Sequence, residues 1–397
     1  MWWQRKDLNY DNHSLWFAGK NLEAFASELE APAFIYSAQR IIDNVTRLRK
    51  ALDNNGFKNK STIFYAMKAN RFAPILTLLK TRGLCGVDVC SPAEVELATG
   101  CGFDCNEISY TGTSLTQTEL SQLARKQGLI MNCDSLFSID QWGQLKPGSE
   151  IGIRINPGMG VSRTNNQKLQ YAGTAKPTKF GIYREQFEAA MSLVNKHQLK
   201  VTRLHFHTGC GYLNAELPQL EKIIQQSLWF IEQLPDLEWV NTGGGLGVPH
   251  TAEDNPLDLD AWVQTIHRFY GGLGIKLAIE PGEYIAKDAG VLLLEKTFCE
   301  VKKDQMFLGV NAGFNVAPEP AFYDMPFLPV PLNDSGERKT LNIVGNINEA
   351  LDVWFENIDF PVSDNQTHIA LINAGAYSSS MASNHCMRGQ FGEYLLF

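Results

Sequence analysis

The sequence predicts a parallel (β/α)8 barrel followed by a smaller, antiparallel β domain, and three observations predict it. From about residue 40 to 285, eight short β-like runs alternate with helix-like stretches, the pattern of a parallel sheet closed on itself. The residues best suited to chemistry, Lys68, His207, the turn Gly243–Gly247 and Glu280, each fall just after one of those runs, where barrel enzymes carry their sites. After residue 290 the alternation gives way to β-like runs alone.

In order, the barrel runs are Ile63–Ala66, Gly86–Val89, Ile108–Thr111, Leu129–Cys133, Ile151–Asn156, Arg203–His207, Trp239–Thr242 and Lys276–Ile279. Each is short and rich in apolar residues, as a strand covered on both faces requires. Amphipathic stretches separate most of them, among them Leu115–Lys126, Glu185–His197, Gln219–Gln233 and Asp260–Tyr270. The β domain is read from Val291–Cys299, Gln305–Val310, Thr340–Val344, His368–Asn373 and Tyr394–Phe397, joined by Pro32–Ser37 from the N-terminal side. The segment Val316–Ser335, rich in proline and aromatics, suits a packed wall of a site better than a linker. The division predicted is a barrel over 38–285 and a β-rich remainder over 1–37 and 286–397.

With 397 residues, 44% hydrophobic and 20% charged, the composition is that of an ordinary globular protein. A net charge of −8 without a basic block argues against nucleic acid as a partner. No apolar stretch approaches membrane-spanning length, and the polar start from Met1 to Asp11 lacks the apolar core of a signal peptide. Eight scattered cysteines without Cys-x-x-Cys spacing predict no metal site, and a reduced, cytoplasmic protein.

Lys68 closes the first apolar run and is followed at once by Ala69-Asn70, a setting for an amine that forms a Schiff base. Burial against the strand is expected to lower its pKa and free it for attack on an aldehyde. A lysine at a strand end is more often a solvated terminus, so the case rests on company: His205-Phe206-His207-Thr208-Gly209-Cys210-Gly211, Gly243-Gly244-Gly245-Leu246-Gly247, Glu280-Pro281-Gly282-Glu283 and Ala374-Gly375-Ala376-Tyr377. In this order the set resembles the pyridoxal-phosphate decarboxylases of the alanine-racemase-like fold (fold type III), the group holding diaminopimelate and ornithine decarboxylases. The likeness runs from about residue 30 to the C-terminus.

The resemblance implies pyridoxal phosphate as cofactor and a homodimer as the working unit. Lys68 is then the Schiff-base lysine, Glu280 the partner of the ring nitrogen, and His207 the residue flat on the ring. Gly243, Gly244, Gly245 and Gly247 cradle the phosphate with Tyr377, and Cys210 stands where serine is common beside it. Asp88 and Arg154 match positions that line the cofactor pocket, although either also suits a barrel ion pair.

Three departures bear on the reaction. The family supplies a proton-donating cysteine across the dimer interface; this chain reads Gly345-Asn346-Ile347-Asn348-Glu349-Ala350-Leu351-Asp352, with Asn348 at the cysteine's place and Glu349 and Asp352 kept as substrate contacts. An amide is no general acid near neutral pH, so Tyr323, Cys386, His385 or a water held by Asn348 is the replacement. Diaminopimelate decarboxylases also grip the distal carboxylate with two arginines, and Glu283 and Glu319 stand at those two places. Like charges about 4 Å apart repel by about 4 kcal/mol at an effective dielectric near 20, so a distal carboxylate is disfavoured there. A cationic end fits better, as in the carboxynorspermidine decarboxylases that the Glu-Pro-Gly-Glu variant resembles, unless both glutamates are taken up by cations of the protein itself. The sequence leaves two other readings open: a pyridoxal-phosphate racemase, eliminating enzyme or decarboxylating transaminase, and a non-catalytic cofactor-binding or regulatory homologue.

Overall fold

The computed structural model describes residues 1–163, 169, 171–172, 176–363 and 366–397. Eight parallel strands form a closed barrel: β1 Ser61–Ala66, β2 Gly86–Val89, β3 Ile108–Tyr110, β4 Ile130–Cys133, β5 Glu150–Arg154, β6 Lys200–His205, β7 Trp239–Asn241 and β8 Lys276–Ile279, with β8 returning to pair with β1. All eight predicted runs are these strands, displaced by a few residues at their ends. The largest displacement is at β6, which ends at His205, so that His207 lies two residues beyond the strand.

Several of the helices that follow the strands start where a side chain closes the turn. Ser91 accepts from the Glu94 N–H at the start of Pro92–Gly100, while the Glu94 carboxylate accepts from the Cys90 N–H. At Gln117–Ala124 the exchange is between two residues only, Thr116 Oγ1 accepting from the Glu119 N–H and the Glu119 carboxylate from the Thr116 N–H. Such reciprocal caps satisfy backbone donors that the helix leaves free, and they fix each loop against the barrel mouth. The predicted helices over 185–197, 219–233 and 260–270 appear as Phe187–Lys196, Leu217–Ile231 and Leu259–Tyr270. None of the described helices is long and apolar enough to cross a membrane.

Past the barrel the chain builds one mixed sheet from β9 Gly290–Lys302, β10 Gln305–Val310, β11 Pro329–Pro331, β12 Glu337–Val344, β13 Val353–Val362, β14 His368–Ile372 and β15 Gly392–Leu396, in the order β11-β14-β9-β10-β12-β13. Ala33–Ser37 pairs with both β9 and β15. The expectation of a wholly antiparallel sheet needs correction. β10 and β12 run parallel, and so do Ala33–Ser37 and β15. Between β10 and β12 the chain crosses over through the short helix Glu319–Tyr323 and strand β11, which brings it back to the same end of the sheet. That crossover is the Val316–Ser335 segment.

The main hydrophobic core fills the barrel and continues into the sheet through Leu292, Leu308 and Trp354. A second, smaller core packs the N-terminal hairpin Leu8–Asp11 and Ser14–Phe17 on the other face of the sheet, through Leu15, Phe17, Ile35 and Leu293. Sheet and barrel therefore meet directly, over the C-terminal ends of the barrel strands.

Candidate active site

A cavity of about 410 Å³ opens at those strand ends. Lys68 lines it from a single 3-10 turn, Met67–Ala69, that ends β1. The turn is held from the other domain: the Tyr377 N–H donates to the Ala69 carbonyl at 2.8 Å, and the Asn70 amide donates to the Gly375 carbonyl at 2.9 Å. The expectation of a depressed lysine pKa is reversed here. Burial does pull the Lys68 amine down, but Cys90, Tyr171 and Asp88 around it pull harder, and its pKa lies above the ordinary lysine range. Lys68 must lose a proton before it can act as a nucleophile.

Glu280 sits at the end of β8, buried, with a complete set of partners. Its Oε1 accepts from Ser109 Oγ (3.1 Å) and Asn241 Nδ2 (2.6 Å), and its Oε2 pairs with His205 Nε2 (2.8 Å). Burial raises the pKa of this carboxyl, yet His205 and Asn241 outweigh burial and hold it below the usual range. Asp88, at the end of β2, is its opposite. Burial and the neighbouring Glu280 push its carboxyl well up, and its Oδ1 has no hydrogen-bond partner. The floor thus pushes one carboxyl up and holds the other down, a division made by surroundings alone.

His207 presents its ring to the cavity with Nδ1 accepting from the Gly244 N–H at 3.2 Å. Burial, with Lys68 and Arg154 nearby, holds its pKa well below the ordinary value, so the ring is neutral with its proton on Nε2. Tyr171 meets it edge-on, ring centres 4.6 Å apart. Arg154, at the end of β5, lies over the Phe180 ring. The glycine turn is obligatory here: Gly243 and Gly245 have φ of +69° and +98°, and a Cβ on Gly244 would stand 2.2 Å from the Glu280 carbonyl. Cys210 and Tyr377 complete this side, both neutral, burial having pushed the thiol up to about 12.

Glu283, Glu319 and Tyr323 also line the cavity, but neither glutamate is without a protein partner. Glu319 forms an ion pair with Lys287, a fully buried lysine whose Nζ also donates to the Ala376 carbonyl (3.3 Å) and lies 4.8 Å from the centre of the Phe327 ring. Glu283 takes both of its contacts on Oε1, from the Val248 N–H at 3.3 Å and from His250 Nε2 at 3.4 Å. Burial pulls the Lys287 ammonium down to about 7, against the upward pull of the neighbouring Glu283. His250, whose pKa burial lowers, contributes no charge.

The Asn348 segment does not reach this cavity within its own chain. Asn348 and Glu349 are exposed, and Glu349 pairs with His385 at 3.2 Å. Asp352 is corrected as a substrate contact. It is buried, with Oδ1 accepting from the Phe314 N–H (2.7 Å) and Oδ2 from the Ile347 N–H (2.6 Å), so it shapes the loop instead. Of the four replacements for the cysteine, Tyr323 alone lines the cavity among the described residues; His385, Cys386 and Asn348 do not. The sequence reading missed His205, Asn241, Tyr171, His250 and Lys287. His205 carried a signal, being two residues from His207 and at the strand's last position; the others had none until the fold brought them in.

The comparisons with known proteins follow this geometry. Residues 38–287 match the family described as pyridoxal-dependent decarboxylase, pyridoxal binding domain. The chain belongs to this family. Its curated relatives include the diaminopimelate decarboxylases of Methanothermobacter thermautotrophicus, 29% identical over 98% of this chain and 92% of the relative, and of Escherichia coli K12, 28% identical over 95% and 91%. Among solved structures, diaminopimelate decarboxylase from Helicobacter pylori complexed with L-lysine superposes with a TM-score of 0.85, at 26% identity over 95% of this chain and 94% of that one. Arginine decarboxylase from Paramecium bursaria Chlorella virus shares the fold, with a TM-score of 0.80 at 18% identity over 94% and 99%. The protein is a pyridoxal-phosphate-dependent carboxy-lyase acting on an amino acid, with the fold type III architecture. The residues present fit the cofactor: an amine, an ionised carboxylate, a neutral ring and a glycine turn converge on one cavity.

Proposed function

We propose that this decarboxylase acts on an amino acid whose side chain ends in a cation or another non-carboxylate group, within a specialised biosynthetic route. The observation that carries the reading is the pair of glutamates, Glu283 and Glu319, on the wall of the cavity that holds Lys68. Even with Lys287 paired to Glu319, a substrate ending in a carboxylate would meet a wall of net negative charge.

Lys68 would hold the cofactor, with Glu280 at its ring nitrogen, His207 flat on its ring, and the Gly243–Gly247 turn, Cys210 and Tyr377 at its phosphate. Asp88 and Arg154 would line its pocket. When bound, pyridoxal phosphate supplies the electron sink for the pair left on Cα as carbon dioxide departs. Glu280, kept ionised, favours a protonated ring nitrogen. The neutral His207 adds no charge to the ring face. Tyr323 is the acid of this reading: its phenol O–H breaks as the C–H bond at Cα forms, in place of the family's thiol. Lys68 then recovers the cofactor and releases the product amine.

The same reading makes the protein a cytoplasmic homodimer, divided into a barrel over 38–285 and a β-rich remainder. Asn348 and Glu349 are exposed and away from their own chain's cavity, which suits a contribution to a second copy. Asp352 would serve by holding their loop.

The test is to incubate cofactor-loaded protein in deuterated water with a panel of amino acids, those with distal amines or guanidinium groups foremost, and to identify products by mass spectrometry. Loss of the carboxyl carbon with one deuterium at Cα is the expected result. Efficient turnover of meso-diaminopimelate would overturn the substrate assignment. Deuterium uptake with the carboxylate intact would make the enzyme a racemase.

A further inference from the structure

The two glutamates of the cavity wall differ in what answers their charge. Glu319 sits at the start of the short helix Glu319–Tyr323, and its partner Lys287 comes from the barrel side, one helical turn after Glu283 in the segment that follows β8. Lys287 is fully buried, and its remaining contacts are a carbonyl and an aromatic face. A buried ammonium so enclosed belongs with the carboxylate it touches, and the two together carry no net charge. Glu283 takes its hydrogen bonds only from neutral donors, while the Lys287 ammonium acts on it through space. The Val248 N–H and the His250 ring both approach Oε1, and among the described residues Oε2 accepts no hydrogen bond. That oxygen lies on the side of Gly211, next to the cavity-lining Cys210. Two carboxylates against one ammonium leave the wall with one net negative charge.

We propose that Lys287 is a positioning residue that takes Glu319 out of substrate recognition, leaving Glu283 as the reader of a single distal cation. This inference rests on the cationic-substrate reading above and narrows it in two ways. The substrate's side chain ends in one positive charge, such as a primary amine, and one named carboxylate selects it. Glu319 keeps a different task, which is to bind the helix carrying Tyr323 to the barrel through a buried pair. Replacing such a pair by apolar residues of similar volume is commonly tolerated, whereas removing one charge and leaving its partner is not.

Calorimetric titration of the cofactor-loaded protein with two amines tests it: 1,4-diaminobutane, which carries a distal ammonium, and 1-aminopentane, which ends in a methyl group at the same place. Wild-type protein is expected to prefer the diamine. Glu283→Gln, nearly isosteric, is expected to cut that preference on the order of 100-fold, leaving the two amines alike. The double variant Lys287→Met with Glu319→Leu is expected to retain it, with cofactor absorbance and melting temperature showing that the fold is intact. The reverse pattern, preference kept in Glu283→Gln and lost in the double variant, would overturn the inference and make Glu319 the reader. A wild-type protein indifferent to the distal ammonium would sink the cationic-substrate reading itself, and the inference with it.

Discussion

Glu280 and Glu283 are three residues apart, both buried and both held ionised, yet their surroundings have little in common. Glu280 ends a barrel strand and accepts from side chains on three other strands: Ser109 on β3, His205 on β6 and Asn241 on β7. Glu283 begins a short helix, takes two long contacts on one oxygen, and lies beside a lysine committed elsewhere. At Glu280, oriented dipoles on rigid strands satisfy the carboxylate so fully that its charge is available to a ligand without needing a protein counter-ion. At Glu283 the satisfaction is partial. The comparison teaches that one barrel mouth can hold a fixed electrostatic floor and, one turn further on, a wall whose charge balance turns on a single ion pair.

The sharpest way to break the comparison is at the floor. Lys68→Ala is expected to abolish the visible absorbance of lysine-bound cofactor and to lower turnover about 10⁴-fold, by spectroscopy and steady-state kinetics. Glu280→Gln keeps the shape but removes the charge, and kcat should fall roughly 10²–10³-fold with the substrate's KM little moved. An equal loss in KM alone would mean that Glu280 serves binding and not the electron sink.

At the wall, Lys287 should make stability pH-dependent. Burial holds its pKa at about 7, below its unfolded value of about 10.5. Between those values the unfolded chain binds the extra proton, so stability rises with pH across that window by about 5 kcal/mol, and it is lowest below pH 7. The double variant Lys287→Met with Glu319→Leu should flatten that rise. Denaturant melts from pH 6.5 to 10 would show it, and parallel curves for the two proteins would contradict the role of Lys287. The smallest effect is expected back at the floor. Asp88→Asn replaces a carboxyl that burial and Glu280 push towards its neutral form, so turnover should change less than about threefold. A loss of 100-fold would mean that Asp88 works as an anion.

The same contrast explains what the sequence made legible. Lys68, Asp88, Arg154, His207 and Glu280 were readable because each follows or ends an apolar run, and a barrel carries such residues to one mouth whatever the loops do. The partners of Glu280 were partly readable, since His205 and His207 share a strand's two-residue period. Lys287 was not. In Tyr284-Ile285-Ala286-Lys287-Asp288 it reads as a solvated helix charge, yet it is buried, against Glu319 and Phe327 of the Val316–Ser335 crossover and the Ala376 carbonyl. Asp352 misled for a related reason: its motif pointed to substrate, while its two oxygens were claimed by backbone N–H groups that no spacing reveals. The parallel pairs in the second sheet likewise depend on where a long crossover returns, which side-chain alternation does not encode.

The clasp on Lys68 has a consequence for the order in which the protein comes into being. The lysine's turn is closed by the Tyr377 N–H and the Gly375 carbonyl, more than 300 residues downstream, while every barrel strand is complete by Ile279. A chain still on the ribosome can therefore have all eight strand segments of its barrel emerged while its lysine stays unclasped until Gly375 and Tyr377 follow. A chain cut short before Gly375 would lack both bonds that fix the lysine's turn.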